Sequence, residues 1–118
     1  MDARPLTPLS FQILVALADG PKHGYAILKE IEEGSGGGSF ATSTGTLYLA
    51  IQRLELGGLL EQSSGDSRRR YYTLTAEGRE VAAAEARRLA SLLGVARGKK
   101  LVGSRQLEGL LKASARKQ

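Results

Sequence analysis

Ser43-Thr44-Gly45-Thr46-Leu47-Tyr48-Leu49-Ala50-Ile51-Gln52-Arg53-Leu54 leads through Gly57-Gly58 and Leu59-Leu60-Glu61-Gln62-Ser63 to Arg70-Tyr71-Tyr72-Thr73-Leu74, and the fold turns on this stretch. Leu47, Ala50, Ile51 and Leu54 recur at i, i+3, i+4 and i+7, the spacing of a buried helical stripe. Ser43 is a good N-cap and Gly57-Gly58 a terminator. Residues 59–63 read as a short strand, Ser64-Gly65-Asp66 as a turn, and residues 70–74, aromatic and alternating, as a second strand. A helix therefore runs into a β-hairpin with a basic flank, Arg68-Arg69-Arg70.

Two helices precede this unit. Thr7 caps the first, with Pro8 at the position whose N–H is unpaired in any case. Residues 9–18 are apolar nearly all round, which predicts burial on more than one side. In so small a chain the second side is assigned to another subunit, through Phe11 and Leu14. Asp19-Gly20-Pro21 ends the helix. A second helix over residues 24–33 buries Ile27, Leu28 and Ile31 and turns Lys29, Glu30, Glu32 and Glu33 to water. The glycine-rich run 34–39 lacks the Gly-Lys-Ser/Thr ending and the preceding strand of a phosphate loop, so it reads as a connection.

Downstream, Thr75 caps a fourth helix, with Glu77 in the first turn where the helix dipole favours an acid. It is expected to reach about residue 93. Ala82, Ala86, Leu89, Leu93 and Ala96 share one face with Leu92 beside them, a pattern that suits a helix–helix seam and predicts dimerisation. Beyond it the sequence is basic and broken by glycines. Leu107, Leu110 and Leu111 fit a short amphipathic helix, and a disordered tail fits equally. The expected fold is mainly α with a small β-hairpin: a winged helix-turn-helix over residues 1–75, a dimerisation helix over 76–96 and a basic tail over 97–118.

Charge and composition narrow the function. Residues 1–67 carry a net −4 and residues 68–118 a net +9, within an overall +5. That asymmetry points to an anionic partner, nucleic acid ahead of membrane, or to a solvated basic tail. There is no cysteine and one histidine in 118 residues. Thiolate and multi-histidine metal sites are therefore excluded within one chain. No nucleophile, base and orienting group occur as a set, so no enzyme and no cofactor is expected. No apolar run reaches the ~20 residues of a bilayer span, and residues 1–5 lack the order of a signal peptide. The expected location is the cytoplasm.

With Leu47, Ile51 and Leu54 inward, Gly45, Tyr48, Leu49 and Gln52 point outward, flanked by Thr46 and Arg53. Gln52 can bond an adenine edge in two places and Leu49 can meet a thymine methyl. Ser43, Thr44 and Thr46 sit at the positive end of the helix, where a phosphate binds. Side chains alternate along a strand, so Arg68, Arg69 and Arg70 are not expected to face one way together. Lys22 and Tyr25 open the second helix and are candidates for phosphate contact, while His23 reads as a cap or packing residue. The competing readings are a solvated helix face, a charged edge strand that resists pairing, and a winged-helix scaffold for protein contacts.

These residues resemble the PadR family of transcriptional regulators. The resemblance lies in Leu6-Thr7-Pro8-Leu9, His23-Gly24-Tyr25, Gly45-Thr46-Leu47-Tyr48, Arg53-Leu54-Glu55, Gly58-Leu59, and the run from Arg69 to Gly78, over roughly residues 6–93. It implies a winged helix with a C-terminal dimerisation helix. It also implies a homodimer on a two-fold-symmetric double-stranded DNA operator, usually to repress. By position it implies DNA contacts at Tyr25, residues 43–48 and the wing arginines. In some members a small-molecule effector bound between the subunits releases DNA. No aromatic residue lies between Val81 and Leu93, so a stacking drug site of that kind lacks its residues here.

Overall fold

A computed structural model describes residues 6–34, 43–63 and 68–116. The expected 34–39 connection lies outside these residues but for Gly34, and the 64–66 turn lies wholly outside. Helix α1 (Pro8–Ala16) starts at Thr7, whose side chain accepts the Ser10 N–H at 3.1 Å. A short 3₁₀ turn (Leu17–Asp19) leads to strand β1 (Lys22–His23) and helix α2 (Gly24–Gly34). Helix α3 (Thr44–Leu56) is followed by β2 (Leu60–Ser63), β3 (Tyr71–Leu74), α4 (Ala76–Gly98) and α5 (Ser104–Arg116).

The chain forms two compact units, one up to Glu85 and one from Ala86. In the first, α1, α2 and α3 enclose Ile13, Leu14, Leu17, Ile27, Ile31, Leu47, Ile51 and Leu54, sealed by Leu60 and Tyr72 from the sheet. Each fully buried Leu or Ile contributes roughly 1.5–3 kcal/mol of transfer free energy. Leu14 is 0% exposed, which corrects its assignment to a subunit contact. Residues of α2 and α3 share this core with α1, and Val15 is a large apolar residue that α1 leaves exposed. Phe11 is half-buried. Ala82 likewise packs against the chain's own core.

The sheet has three strands in the order β1-β3-β2, all antiparallel. Its third member is the two-residue β1, which pairs Lys22 with Tyr72 and His23 with Tyr71. The hairpin registers Leu60 on Leu74 and Ser63 on Tyr71. Tyr72 points inward and is buried, while Tyr71 stays half-exposed, as strand alternation requires.

One threonine joins the hairpin to α4. Thr75 Oγ1 donates to the Gly58 carbonyl at 2.7 Å and accepts the Gly78 N–H at 2.9 Å. Gly78 then lies so close to the preceding turn that a Cβ there would sit 1.9 Å from the Leu59 carbonyl oxygen. Arg79 adds a hydrogen bond to the Ala18 carbonyl at 2.9 Å. In the second unit, Ala86, Leu89, Leu92 and Leu93 are exposed, and Ala96, Val102 and Leu107 are half-buried.

Candidate nucleic-acid interface

Helix α3 presents two faces. Leu47, Ala50, Ile51 and Leu54 are buried, and Thr44, Gly45, Thr46, Tyr48, Leu49, Gln52 and Arg53 are exposed. At its start Ser43 Oγ accepts the Thr46 N–H at 3.1 Å and donates to Thr46 Oγ1 at 2.8 Å. The remaining first-turn N–H groups carry the positive end of the helix dipole toward solvent.

A cleft of ≈ 500 Å³ opens between the start of α2, the exposed face of α3 and the residues leading into β3. Helix α2 supplies Tyr25, α3 supplies Tyr48 and Gln52, and the wing supplies Arg68, Arg69 and Arg70. All three arginines line it together. They precede β3, which begins at Tyr71, so the strand pleat does not send them to opposite faces as expected. Tyr48 can approach because the residue beneath it is glycine: a Cβ on Gly24 would meet the Tyr48 hydroxyl oxygen at 2.2 Å. Tyr48, Gln52 and Arg69 thus share one solvent-open surface.

Several residues stand elsewhere. Lys22 is not a free cation. Its ammonium donates to the Ala16 carbonyl at 2.6 Å, pairs with Asp19, and lies 3.6 Å from Glu30. The Lys22 hydrogen bond, then its charge, holds the Asp19 carboxyl below its ordinary value. Leu49 and Arg53 are exposed on α3 without lining the cleft, and Ser43, Thr44 and Thr46 occupy the helix start.

Sequence reasoning passed over three side chains that line the cleft. His23 is a cap, its Nδ1 accepting the Ala26 N–H at 3.2 Å, and it also lines the cleft. Glu55 lies one turn beyond Gln52 and accepts from Gln62 Nε2 at 3.2 Å, a position that the i, i+3 spacing from Gln52 already marks. Tyr72 also lines the cleft. Burial first, and Tyr48 beside it next, push its phenol up, while Arg70 partly opposes them. It remains a neutral hydroxyl at physiological pH.

Among the described residues no group of three or more His, Cys, Asp or Glu side chains could hold a metal ion, and no helix is long and apolar enough to cross a membrane.

A family model described as the transcriptional regulator PadR-like family matches residues 13–84. A 37.1 kDa protein in transposon TN4556 of Streptomyces fradiae is 44% identical over 82 residues. That alignment takes in 70% of this chain and 23% of the relative, so the chain spans under a quarter of the curated relative it matches. A crystal structure of a PadR family transcription regulator from Clostridium difficile superposes with a TM-score of 0.70 at 25% identity, covering 81% of this chain and 100% of that one. Halobacterial RosR in a complex structure gives a TM-score of 0.67 at 29% identity, covering 99% and 96%.

Proposed function

The chain belongs to the PadR-like family of transcriptional regulators, a family of regulators and not of enzymes, and from that footing we propose that it acts by seating the start of α3 in the major groove of DNA while Arg68, Arg69 and Arg70 grip the adjacent sugar-phosphate chain. The observation that carries this reading is the single cleft that gathers Tyr25, Tyr48, Gln52 and the three arginines. Gln52 is the candidate for base reading and Leu49 for contact with a thymine methyl. The arginines and the α3 N-terminus supply affinity without sequence information.

The finer reading is a repressor that works in the cytoplasm as a homodimer on a palindromic operator. Support for the dimer is the exposed row Leu89, Leu92 and Leu93, which are 36%, 56% and 37% exposed on one stretch of α4. Contiguous apolar surface of this kind marks a protein contact. Two copies related by a two-fold axis would present two wings to two half-sites.

Selection of bound duplexes from random DNA, repeated at two salt concentrations, tests the proposal. The expected product is a two-fold-symmetric sequence whose recovery falls as salt rises. Recovery of no enriched sequence at low salt, together with capture of a protein partner, would favour a winged-helix protein-interaction module instead.

A further inference from the structure

A neutral imidazole has one N–H and one lone pair, and a guanidinium has donors only. His23 meets both limits at once. Its Nδ1 accepts the Ala26 N–H at 3.2 Å and caps α2; a neutral ring that makes this bond carries its proton on Nε2. Its Nε2 lies 3.0 Å from an Arg69 guanidinium nitrogen. A hydrogen bond from Arg69 to Nε2 would need the other tautomer and would cost the cap. One ring cannot serve both as acceptor.

With the cap made, two N–H donors stand 3.0 Å apart. An oxygen at an ordinary hydrogen-bond distance of ~2.8 Å from both nitrogens completes a nearly equilateral triangle. The ring is held for this role. Tyr71, paired with His23 in the β1–β3 register, meets it edge-on with centroids 5.5 Å apart and planes at 88°. His23 and Arg69 both line the cleft that holds Tyr25, Tyr48 and Gln52. A guanidinium beside a second donor selects an anionic oxygen, and phosphate is the one that DNA brings.

We propose that His23 and Arg69 form a two-donor seat for one phosphate oxygen of the DNA backbone, with the α2 cap fixing the His23 tautomer that donates. This rests on the DNA-binding reading above and adds to it a contact at a residue whose sequence suggested capping alone.

Two substitutions separate the roles. His23→Asn places an amide oxygen near the Nδ1 position, keeping the cap and losing the far donor. His23→Gln places an amide nitrogen near the Nε2 position, keeping the donor and losing the cap. With the full chain and a selected duplex, H23N is expected to melt like the parent and to lose about tenfold in affinity. H23Q is expected to melt lower and to stay within about threefold. In an Arg69→Gln background, H23N should cost less than about twofold, because the seat is already broken. The opposite ranking, with H23N binding as the parent does, would overturn the proposal.

Inorganic phosphate added to the free chain supplies an arm that needs no DNA, read by long-range ¹⁵N spectra of the His23 ring. A shift at Nε2 that vanishes in Arg69→Gln supports the seat even if no duplex binds, in which case the DNA reading fails alone. Duplex binding with no such shift and parental affinity in H23N would remove the seat and leave the DNA reading standing.

Discussion

Gly24 and Tyr48 meet where no side chain fits between them: a Cβ at position 24 would lie 2.2 Å from the Tyr48 hydroxyl oxygen and 2.8 Å from a ring carbon. The first residue of α2 thereby sets how the tyrosine lies on the outer face of α3. The obstructing atoms are the far end of an exposed side chain, so the ring can swing away. Gly24→Ala is expected to leave stability within about 1 kcal/mol, since alanine suits a helix better than glycine. It should nevertheless weaken duplex binding several-fold, because the displaced ring intrudes on the cleft. Thermal melts alongside binding titrations check this; an unchanged titration would detach Tyr48 from the binding surface.

Gly78 is expected to behave in the opposite way. Its missing Cβ would meet backbone, the Leu59 carbonyl oxygen at 1.9 Å, and the Leu74 side chain at 2.9 Å. Backbone cannot swing aside, so Gly78→Ala must displace α4 from the turn that Thr75 ties to Gly58. A loss of about 2–3 kcal/mol in denaturant unfolding is expected. The two glycines give a paired experiment in which one variant impairs binding and the other impairs folding.

Leu89 and Leu92 lie exposed on α4. If they form the subunit seam, Leu89→Glu with Leu92→Glu places unpaired charge in an apolar contact. Sedimentation equilibrium should then find monomer at micromolar concentration where the parent sediments as a dimer. A parent that is already monomeric, or a variant that stays dimeric, would move the seam elsewhere.

Asp19 offers a test of the pairing that occupies Lys22. Lys22 holds the folded-state carboxyl below its ordinary 3.8. The pair therefore adds stability above that value and loses it as pH falls through the folded-state titration. Both groups reach solvent, so the contribution is small. Asp19→Asn is expected to change stability at pH 7 by no more than about 0.5 kcal/mol and to flatten the acid limb of the stability curve below pH 4. Denaturant melts at a series of pH values for both proteins measure it; identical acid limbs would contradict the pairing.

The fold was legible wherever local chemistry and periodicity agreed. Ser43 and Thr75 act as caps through the side-chain-to-backbone bonds their residue types favour. The α3 stripe is buried as its spacing predicts, and its outward residues are exposed. Strand β1 was not legible, because two residues carry no alternation and Lys22-His23 pairs only through contacts with β3 far along the chain. Helix α4 was expected to stop near Leu93 and continues to Gly98. A lone glycine at 94 costs about 1 kcal/mol, which the alanine, leucine and arginine around it offset.

The site was legible in its parts more than in its geometry. Tyr25, Tyr48, Gln52 and the arginine run were all visible as residues. That the three arginines line one cleft was not legible, because all of them precede β3 and the strand pleat does not govern where they point. The capture of Lys22 had a signal, an acid three residues away across Gly20-Pro21, but whether the turn brings them together is a tertiary fact. Leu14 failed as a subunit contact because an all-round apolar helix can be enclosed by its own chain.

Whether α3 and the arginine run grip one duplex from one face is tested most directly by the salt dependence of duplex binding for three proteins. Arg69→Glu with Arg70→Glu should weaken binding to every sequence and lower the slope of log affinity against log salt by about two. Gln52→Ala should keep the parental slope and change which base is preferred at one position in each half-site. Parental affinity, slope and base preference in both variants would contradict it.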